Sequence, residues 1–204
     1  MTKQMTILYK VHNNLYVNLT NQCPCACVFC LRKTREEMEE SGSLWLEHEP
    51  TVEEVIQEFK KFDLSLFEEV VFCGFGEPTQ RLEDLLTIAE YVKKTYQKPI
   101  RVNTNGLTDL MYQKDTAPMF EHLVDTISIS LNTPNAQKYY DLTKNKFGLK
   151  SFDAMLQFAK NVKQYVPNVV LTTVDTTLSK EEEQKCKSIC DDLGVKYRIR
   201  PWED

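Results

Sequence analysis

The chain has 204 residues, 42% of them hydrophobic and 27% charged, with a formal net charge of −5. That length suits about one domain with a sizeable core, and the acidic balance argues against bulk binding to duplex nucleic acid, which leans on Lys and Arg. No apolar run approaches the roughly 20 residues of a membrane-spanning helix, and Met1-Thr2-Lys3-Gln4 leads into a mixed segment without a signal-peptide core. The expected location is therefore cytoplasmic, where seven cysteines point to metal or catalysis rather than disulfides.

Taken in chain order, residues 6–20 read as a β-hairpin. Two alternating runs, 6–11 and 15–20, flank the turn residues His12-Asn13-Asn14. A cysteine-rich loop follows directly. Residues 32–40 are charged and read as a solvated helix or an excursion, broken by Ser41-Gly42-Ser43. From Thr51 the chain alternates helix and strand. Thr-Val-Glu-Glu is a capping box ahead of a helix over residues 52–62, and a strand over 69–73 runs into Gly74-Phe75-Gly76-Glu77-Pro78. Helices are predicted over 82–96, 119–124, 152–165 and 180–193, and strands over 100–104, 126–132, 169–175 and 196–200. Such alternation predicts an α/β fold with parallel strands.

Strands buried on both faces of a parallel sheet should be almost continuously apolar, yet several of these alternate. Thr126, Ser128, Ser130 and Asn132 share one face, Arg101, Asn103 and Asn105 another, and Arg198 goes with Arg200. Asn18 and Thr20 match them on the first core strand. A curved sheet whose inner face lines a polar cavity accounts for this. A sheet with one face in water is the plainer alternative.

The loop Cys23-Pro24-Cys25-Ala26-Cys27-Val28-Phe29-Cys30 holds four cysteines in eight positions. Iron–sulfur clusters are held by closely spaced thiolates of this sort. Using Cys23, Cys27 and Cys30 leaves one corner of a cubane open for chemistry, the logic that separates catalytic from structural zinc; Cys25 then has to point elsewhere. A zinc-binding module without catalysis, or an electron-transfer cluster that recruits Cys25, would use the same residues differently. Cys186 and Cys190 lie one helical turn apart and read as buried core thiols. His12, His48 and His122 are scattered and receive no role.

Cys23-x-x-x-Cys27-x-Phe29-Cys30, placed just after the first core strand, resembles the signature of the radical S-adenosylmethionine superfamily. Gly74-Phe75-Gly76-Glu77-Pro78 is similar to that family's Gly-Gly-Glu-Pro motif, with Phe75 separating the two glycines here. The resemblance covers essentially the whole chain. It implies a single radical S-adenosylmethionine domain over residues 1–204, folded as an incomplete (β/α)6 TIM-like barrel with an N-terminal β-hairpin. It implies a [4Fe–4S] cluster on Cys23, Cys27 and Cys30, and S-adenosyl-L-methionine contacted by Phe29, Gly74, Phe75, Gly76 and Glu77. Polar residues at later strand ends, Asn105, Ser130, Asn132 and Asp175, are implied for the cofactor's carboxylate and ribose. Arg198 and Arg200 share a strand face, and since Arg binds carboxylate or phosphate bidentately, Arg200 is a candidate for the cofactor's carboxylate or a substrate anion, with an edge salt bridge as the plainer alternative. A turn role for Asn105 and a helix-cap role for Asn132 are the plainer readings.

The segment from Tyr16 to Cys25, with Leu44-Trp45-Leu46-Glu47 and Arg200-Pro201-Trp202, most resembles the small TatD-linked radical S-adenosylmethionine proteins. The implied chemistry is reductive cleavage of S-adenosylmethionine to a 5′-deoxyadenosyl radical that abstracts hydrogen. It needs an external electron donor such as flavodoxin or ferredoxin. The expected substrate is a peptide, protein or nucleic acid that completes the barrel wall. Glycyl-radical-activase-like and 7-carboxy-7-deazaguanine-synthase-like enzymes are the nearest rivals.

Overall fold

A computed structural model describes residues 5–39 and 41–202; the lead segment 1–4 and Glu40, which figured in the reading above, lie outside the described residues. The chain divides into two compact units, Met1–Cys23 with Phe29–Asn103, and Pro24–Val28 with Thr104–Asp204.

In the first unit β1 (Leu8–Val11) and β2 (Asn14–Val17) form the expected hairpin, antiparallel with Tyr9 opposite Tyr16. The turn is tighter than the three residues predicted. Asn14 already pairs with Val11, and His12 takes a left-handed φ of 51° to reverse the chain. Parallel pairing then sets Tyr16 against Val71 of β3 (Val70–Phe72), and Val71 against Arg101 of β4 (Ile100–Thr104). One face of these strands carries Leu15, Val17, Val70, Phe72, Ile100 and Val102, all fully buried. The apolar stripes of α1 (Val52–Phe59) and α2 (Leu82–Tyr96) are equally buried and meet through Phe59 and the Tyr91–Tyr96 pair. The opposite face carries Tyr16, Asn18, Cys73, Arg101 and Asn103, as period two requires. The capping box at Thr51 is present, with Thr51 and Glu54 bonding reciprocally. The helix it starts ends at Phe59, not residue 62, and Phe62 meets Phe67 edge-on instead.

In the second unit β5 (Thr126–Ser130), β6 (Asn168–Val174) and β7 (Lys196–Arg200) run parallel in that order. Ile127, Ile129 and Leu171 bury one face completely, as do Met155, Phe158, Ala159 and Val162 on α5 (Lys150–Val162). α6 (Lys180–Leu193) starts with a Ser179–Glu182 capping box and stops at Gly194, whose left-handed φ of 66° glycine adopts at least cost. Two short helices went unpredicted. α3 (Thr108–Tyr112) buries only Thr108, and α4 (Ala136–Thr143) only Tyr139 and Thr143, so neither has an apolar stripe to read.

Cys186 and Cys190 are fully buried on α6. Burial pushes their thiols up from 9.0 to about 11 and about 12. The unfolded chain ionises these thiols at lower pH than the folded one, so stability is intact below pH 9 and falls as pH rises toward 11–12. Thermal melts across that window should show a falling midpoint, flattened in a Cys186→Ala/Cys190→Ala variant. An identical alkaline decline in that variant would remove the thiols as its cause.

Among the described residues no helix is long and apolar enough to cross a membrane.

Candidate cofactor site

The glycine motif leaves β3 in the first unit. Cys73 N–H donates to the Val17 carbonyl at 3.1 Å and Tyr9 Oη donates to the Cys73 carbonyl at 3.0 Å, fixing the strand end from two sides. The departing end of β2 then runs hard against the motif. A Cβ on Gly76 would stand 2.6 Å from the Gln22 carbonyl oxygen and closer still to that of Thr20; a Cβ on Gly74 would stand 2.8 Å from Asn18 Cγ. These glycines serve close backbone approach, not unusual dihedrals.

Phe75, between them, is buried and packs with Tyr9, Val11 and Leu44, with Trp45 edge-on at 5.2 Å. Its ring anchors the motif in the unit's core. Glu77 is 4% exposed. Its N–H donates to the Gln22 carbonyl at 2.8 Å, and its Oε1 accepts from Thr79 N–H at 3.1 Å and Thr79 Oγ1 at 2.7 Å. The carboxylate is thus held rigidly at the start of the next turn.

Segment 42–50 is strapped across the same end of β2. Asn18 Nδ2 donates to the Leu44 carbonyl at 2.8 Å and to that of Thr6 at 3.2 Å. Asn21 grips the Leu46 backbone twice, at 2.8 and 3.1 Å, and Thr20 Oγ1 donates to Glu49. Arg81, which the sequence reading passed over, ties these parts together. Its Nη1 donates to the carbonyls of Leu19 at 2.9 Å and Pro50 at 2.7 Å, while Asp84 pairs with its other side at 2.6 Å. Only a capped-helix pattern surrounds Arg81 in sequence, so nothing marked it.

Three atoms on the polar side of this unit, Asn18 Oδ1, Arg101 Nε and Asn103 Oδ1, are buried without a hydrogen-bond partner among the described residues. The two carbonyls that Asn18 Nδ2 serves fix its orientation and turn Oδ1 toward Gly74. Arg101 pairs with Glu69 at 2.8 Å and reaches Tyr16 Oη at 3.5 Å. Burial raises the Tyr16 hydroxyl above its ordinary 10.0, and Cys73 adds to the effect. Cys23 and Cys30 belong to this unit and are half-buried. The Cys30 carbonyl accepts from Lys33 N–H at 3.0 Å, and Phe29 is 39% exposed.

The middle of the cysteine loop, Pro24–Val28, is assigned to the second unit. Ala26 and Val28 donate their N–H groups to the Thr143 and Leu142 carbonyls, both at 2.9 Å, and Lys146 donates to the Pro24 carbonyl at 3.0 Å. The loop therefore uses the carbonyls that a helix C-terminus leaves unpaired, those of α4. Cys25 is 4% exposed and its Sγ accepts from Asn105 Nδ2 at 3.7 Å; Cys27 is half-buried. Of the four cysteines in the loop, Cys25 is buried and the other three are half-buried. Asn105 also closes a turn, its Oδ1 accepting from Leu107 N–H at 2.9 Å beside Gly106 at φ 74°. The plainer turn reading holds for it, and its amide reaches Cys25 besides.

Ser130 is half-buried at the end of β5. Asn132 is buried at a left-handed φ of 63° and donates its N–H to the Thr172 carbonyl at 3.2 Å. It caps no helix; Asn135 caps α4. Asp175 is exposed, with its N–H on the Arg200 carbonyl at 2.8 Å and its carboxylate on Thr176 N–H at 2.8 Å. Arg200 Nε is buried without a partner among the described residues, as is Thr133 Oγ1.

Among the described residues no three His, Cys, Asp or Glu side chains are gathered around a point that would hold a single metal ion. A cubane makes a different demand, since each thiolate takes its own iron at a separate corner.

The glycine motif with its buried carboxylate and the cysteine loop after β2 lie on an α/β fold. A Radical SAM superfamily profile matches residues 17–193. The chain is 31% identical over 142 residues to a GTP 3′,8-cyclase of Corynebacterium glutamicum, covering 66% of this chain and 35% of that protein. It is 27% identical over 160 residues to a probable GTP 3′,8-cyclase of Thermococcus kodakarensis, covering 78% and 46%. The chain thus spans less than half the length of these relatives. Streptococcus suis SuiB bound to S-adenosylmethionine shares the fold, with a TM-score of 0.71 at 16% identity, covering 94% of this chain and 41% of that one.

This chain belongs to the radical S-adenosylmethionine superfamily, and so to enzymes that work with a [4Fe–4S] cluster and S-adenosylmethionine.

Proposed function

We propose that this chain is a single radical S-adenosylmethionine domain of the TatD-linked subgroup, built as an incomplete (β/α)6 barrel. In this reading Cys23, Cys27 and Cys30 hold the cluster. The observation that carries it is the sorting of the cysteine loop, where Cys25 is buried against Asn105 while Cys23, Cys27 and Cys30 are half-buried. When bound, the cluster and S-adenosylmethionine supply a 5′-deoxyadenosyl radical that abstracts hydrogen from substrate.

The chain's own residues bind and orient. Backbone carbonyls around Gly74 and Gly76, with the fixed carboxylate of Glu77, present acceptors to the cofactor's ammonium. Asn18 Oδ1, buried and unpartnered, holds acceptor capacity beside Gly74. Phe29 packs near the adenine, and Phe75 keeps the motif in register from the core side. Ser130, Asn132 and Asp175, at strand ends, serve the carboxylate and ribose, as ligands of parallel α/β folds gather at carboxyl ends, and Arg200 is left for a substrate anion. Asn105 acts through Cys25 and the loop.

An external donor of the flavodoxin or ferredoxin kind reduces the site, in the cytoplasm. The substrate is a peptide, protein or nucleic acid. Anaerobic purification followed by metal and sulfide analysis tests the ligand set. Iron with acid-labile sulfide, about four of each per chain, is expected in wild type and in Cys25→Ala alike. Zinc would support the non-catalytic module, and loss of iron in Cys25→Ala would support a four-cysteine electron-transfer cluster.

A further inference from the structure

Strand β7 alternates in a way the cofactor reading does not use. Tyr197 points toward α6, since its Oη lies 2.7 Å from Thr173 Oγ1 and its hydroxyl also meets Cys186 on that helix. Lys196, Arg198 and Arg200 therefore share the face turned away from α6, with about 6.6 Å between successive side chains. A chain of net charge −5 has set three cations in a row on one strand face. The neighbouring strands back them with hydroxyls: Arg198 lies opposite Thr172, and Thr172 opposite Ser130.

The lowest cation is already engaged, Lys196 Nζ donating to Asn168 Oδ1 at 2.7 Å. The upper end differs. Among the described residues Arg200 Nε is buried without a hydrogen-bond partner and no carboxylate pairs with Arg200. The nearest acid in sequence register, Asp175, follows Val174, the residue opposite Arg200, and so alternates to the other face. A buried donor left unserved is costly unless something else serves it. Two residues further on, Trp202 is 51% exposed.

We propose that the face of β7 carrying Arg198 and Arg200 binds the phosphate of a nucleotide, with Trp202 stacking on its base. This rests on the reading of the chain as a radical S-adenosylmethionine enzyme and names the chemistry of its substrate. Planar guanidinium forks match phosphate oxygens bidentately, and an indole offers the flat apolar surface that any base accepts. Acidic peptides would satisfy the cations but leave Trp202 without use. The same chemistry comes from a free nucleotide or from a single-stranded nucleic acid.

Isothermal titration calorimetry of the anaerobically reconstituted protein tests this, without reductant so that nothing turns over. Three probes are used: GTP, a 5′-phosphorylated single-stranded octanucleotide, and a Glu-rich octapeptide of similar charge. One of the two phosphate probes should saturate while the peptide does not, and which one binds identifies the source. Arg198→Ala should weaken that binding about tenfold and lower the slope of log affinity on log salt by about one. Trp202→Ala should weaken it about tenfold and Trp202→Phe much less. Lys187→Ala, on the exposed side of α6, should change nothing. Binding of the peptide as tightly as the phosphate probes, or Arg198→Ala and Trp202→Ala variants with wild-type affinity and salt slope, would overturn the proposal. Iron and sulfide are measured on the same samples. A sample that lacks the cluster yet binds the phosphate probe tells against the cofactor reading alone.

Discussion

Cys27→Ala should yield a folded protein that retains essentially no iron or acid-labile sulfide after anaerobic reconstitution. A site that already leaves one corner open has no ligand to spare, and two thiolates do not hold a cubane. Fold survives because Cys27 is half-buried and its loop is held by backbone bonds from Ala26 and Val28 to the end of α4, which the substitution leaves alone. Cys25→Ala is the matched comparison. It empties a small buried volume and loses the Asn105 contact, costing on the order of 1 kcal/mol of stability, while the cluster remains. Iron content by inductively coupled plasma spectrometry, read beside a thermal melt, separates the two. Wild-type iron in Cys27→Ala would refute the ligand assignment.

The second large effect is expected at Gly76. A methyl group there meets the backbone carbonyls of Thr20 and Gln22, the latter at 2.6 Å, and neither can rotate away as a side chain can. Either β2's exit or the motif must shift, which costs about 1–3 kcal/mol of overpacking and moves the Glu77 carboxylate off its position. Cofactor cleavage in Gly76→Ala should fall at least a hundredfold, since misplacement of a positioning group by about 1 Å costs that much. Gly74→Ala clashes instead with the Asn18 side chain, so Asn18→Ala should restore part of its lost stability. No such rescue is available to Gly76→Ala. Stable, fully active Gly76→Ala protein would show that close backbone approach is not what the motif is for.

The parts of this molecule that could be read in advance are those whose local chemistry and burial agree. α2, β4, α6 and β7 have the expected bounds because apolar spacing, caps and turn residues all point the same way; Ser179, Glu182 and Gly194 bracket α6 completely. α3 and α4 escaped notice because they bury one and two side chains. Helices that short exist by virtue of tertiary contacts, α4 by the cysteine loop bonded to its end. The Asn135 cap was the only local sign of it.

In the candidate site, the cysteine spacing and the glycine motif stand out because both are short-range sequence patterns. The preference of Phe75 for the core was not, since an aromatic residue beside a glycine motif suits a ligand wall and a packing anchor equally; Leu44 and Trp45, distant in sequence, decide it. Arg81 was invisible for the same reason: its partners Leu19 and Pro50 lie 62 and 31 residues away. The turn role of Asn105 was legible, but its bond to Cys25 spans 80 residues.

Reduction of the anaerobically reconstituted protein with dithionite in the presence of S-adenosylmethionine, with the products read by mass spectrometry, bears most directly on the role of this chain. Wild type should release 5′-deoxyadenosine, and Cys27→Ala none. Equal yields from the two proteins, or none from an iron-replete wild type, would contradict it.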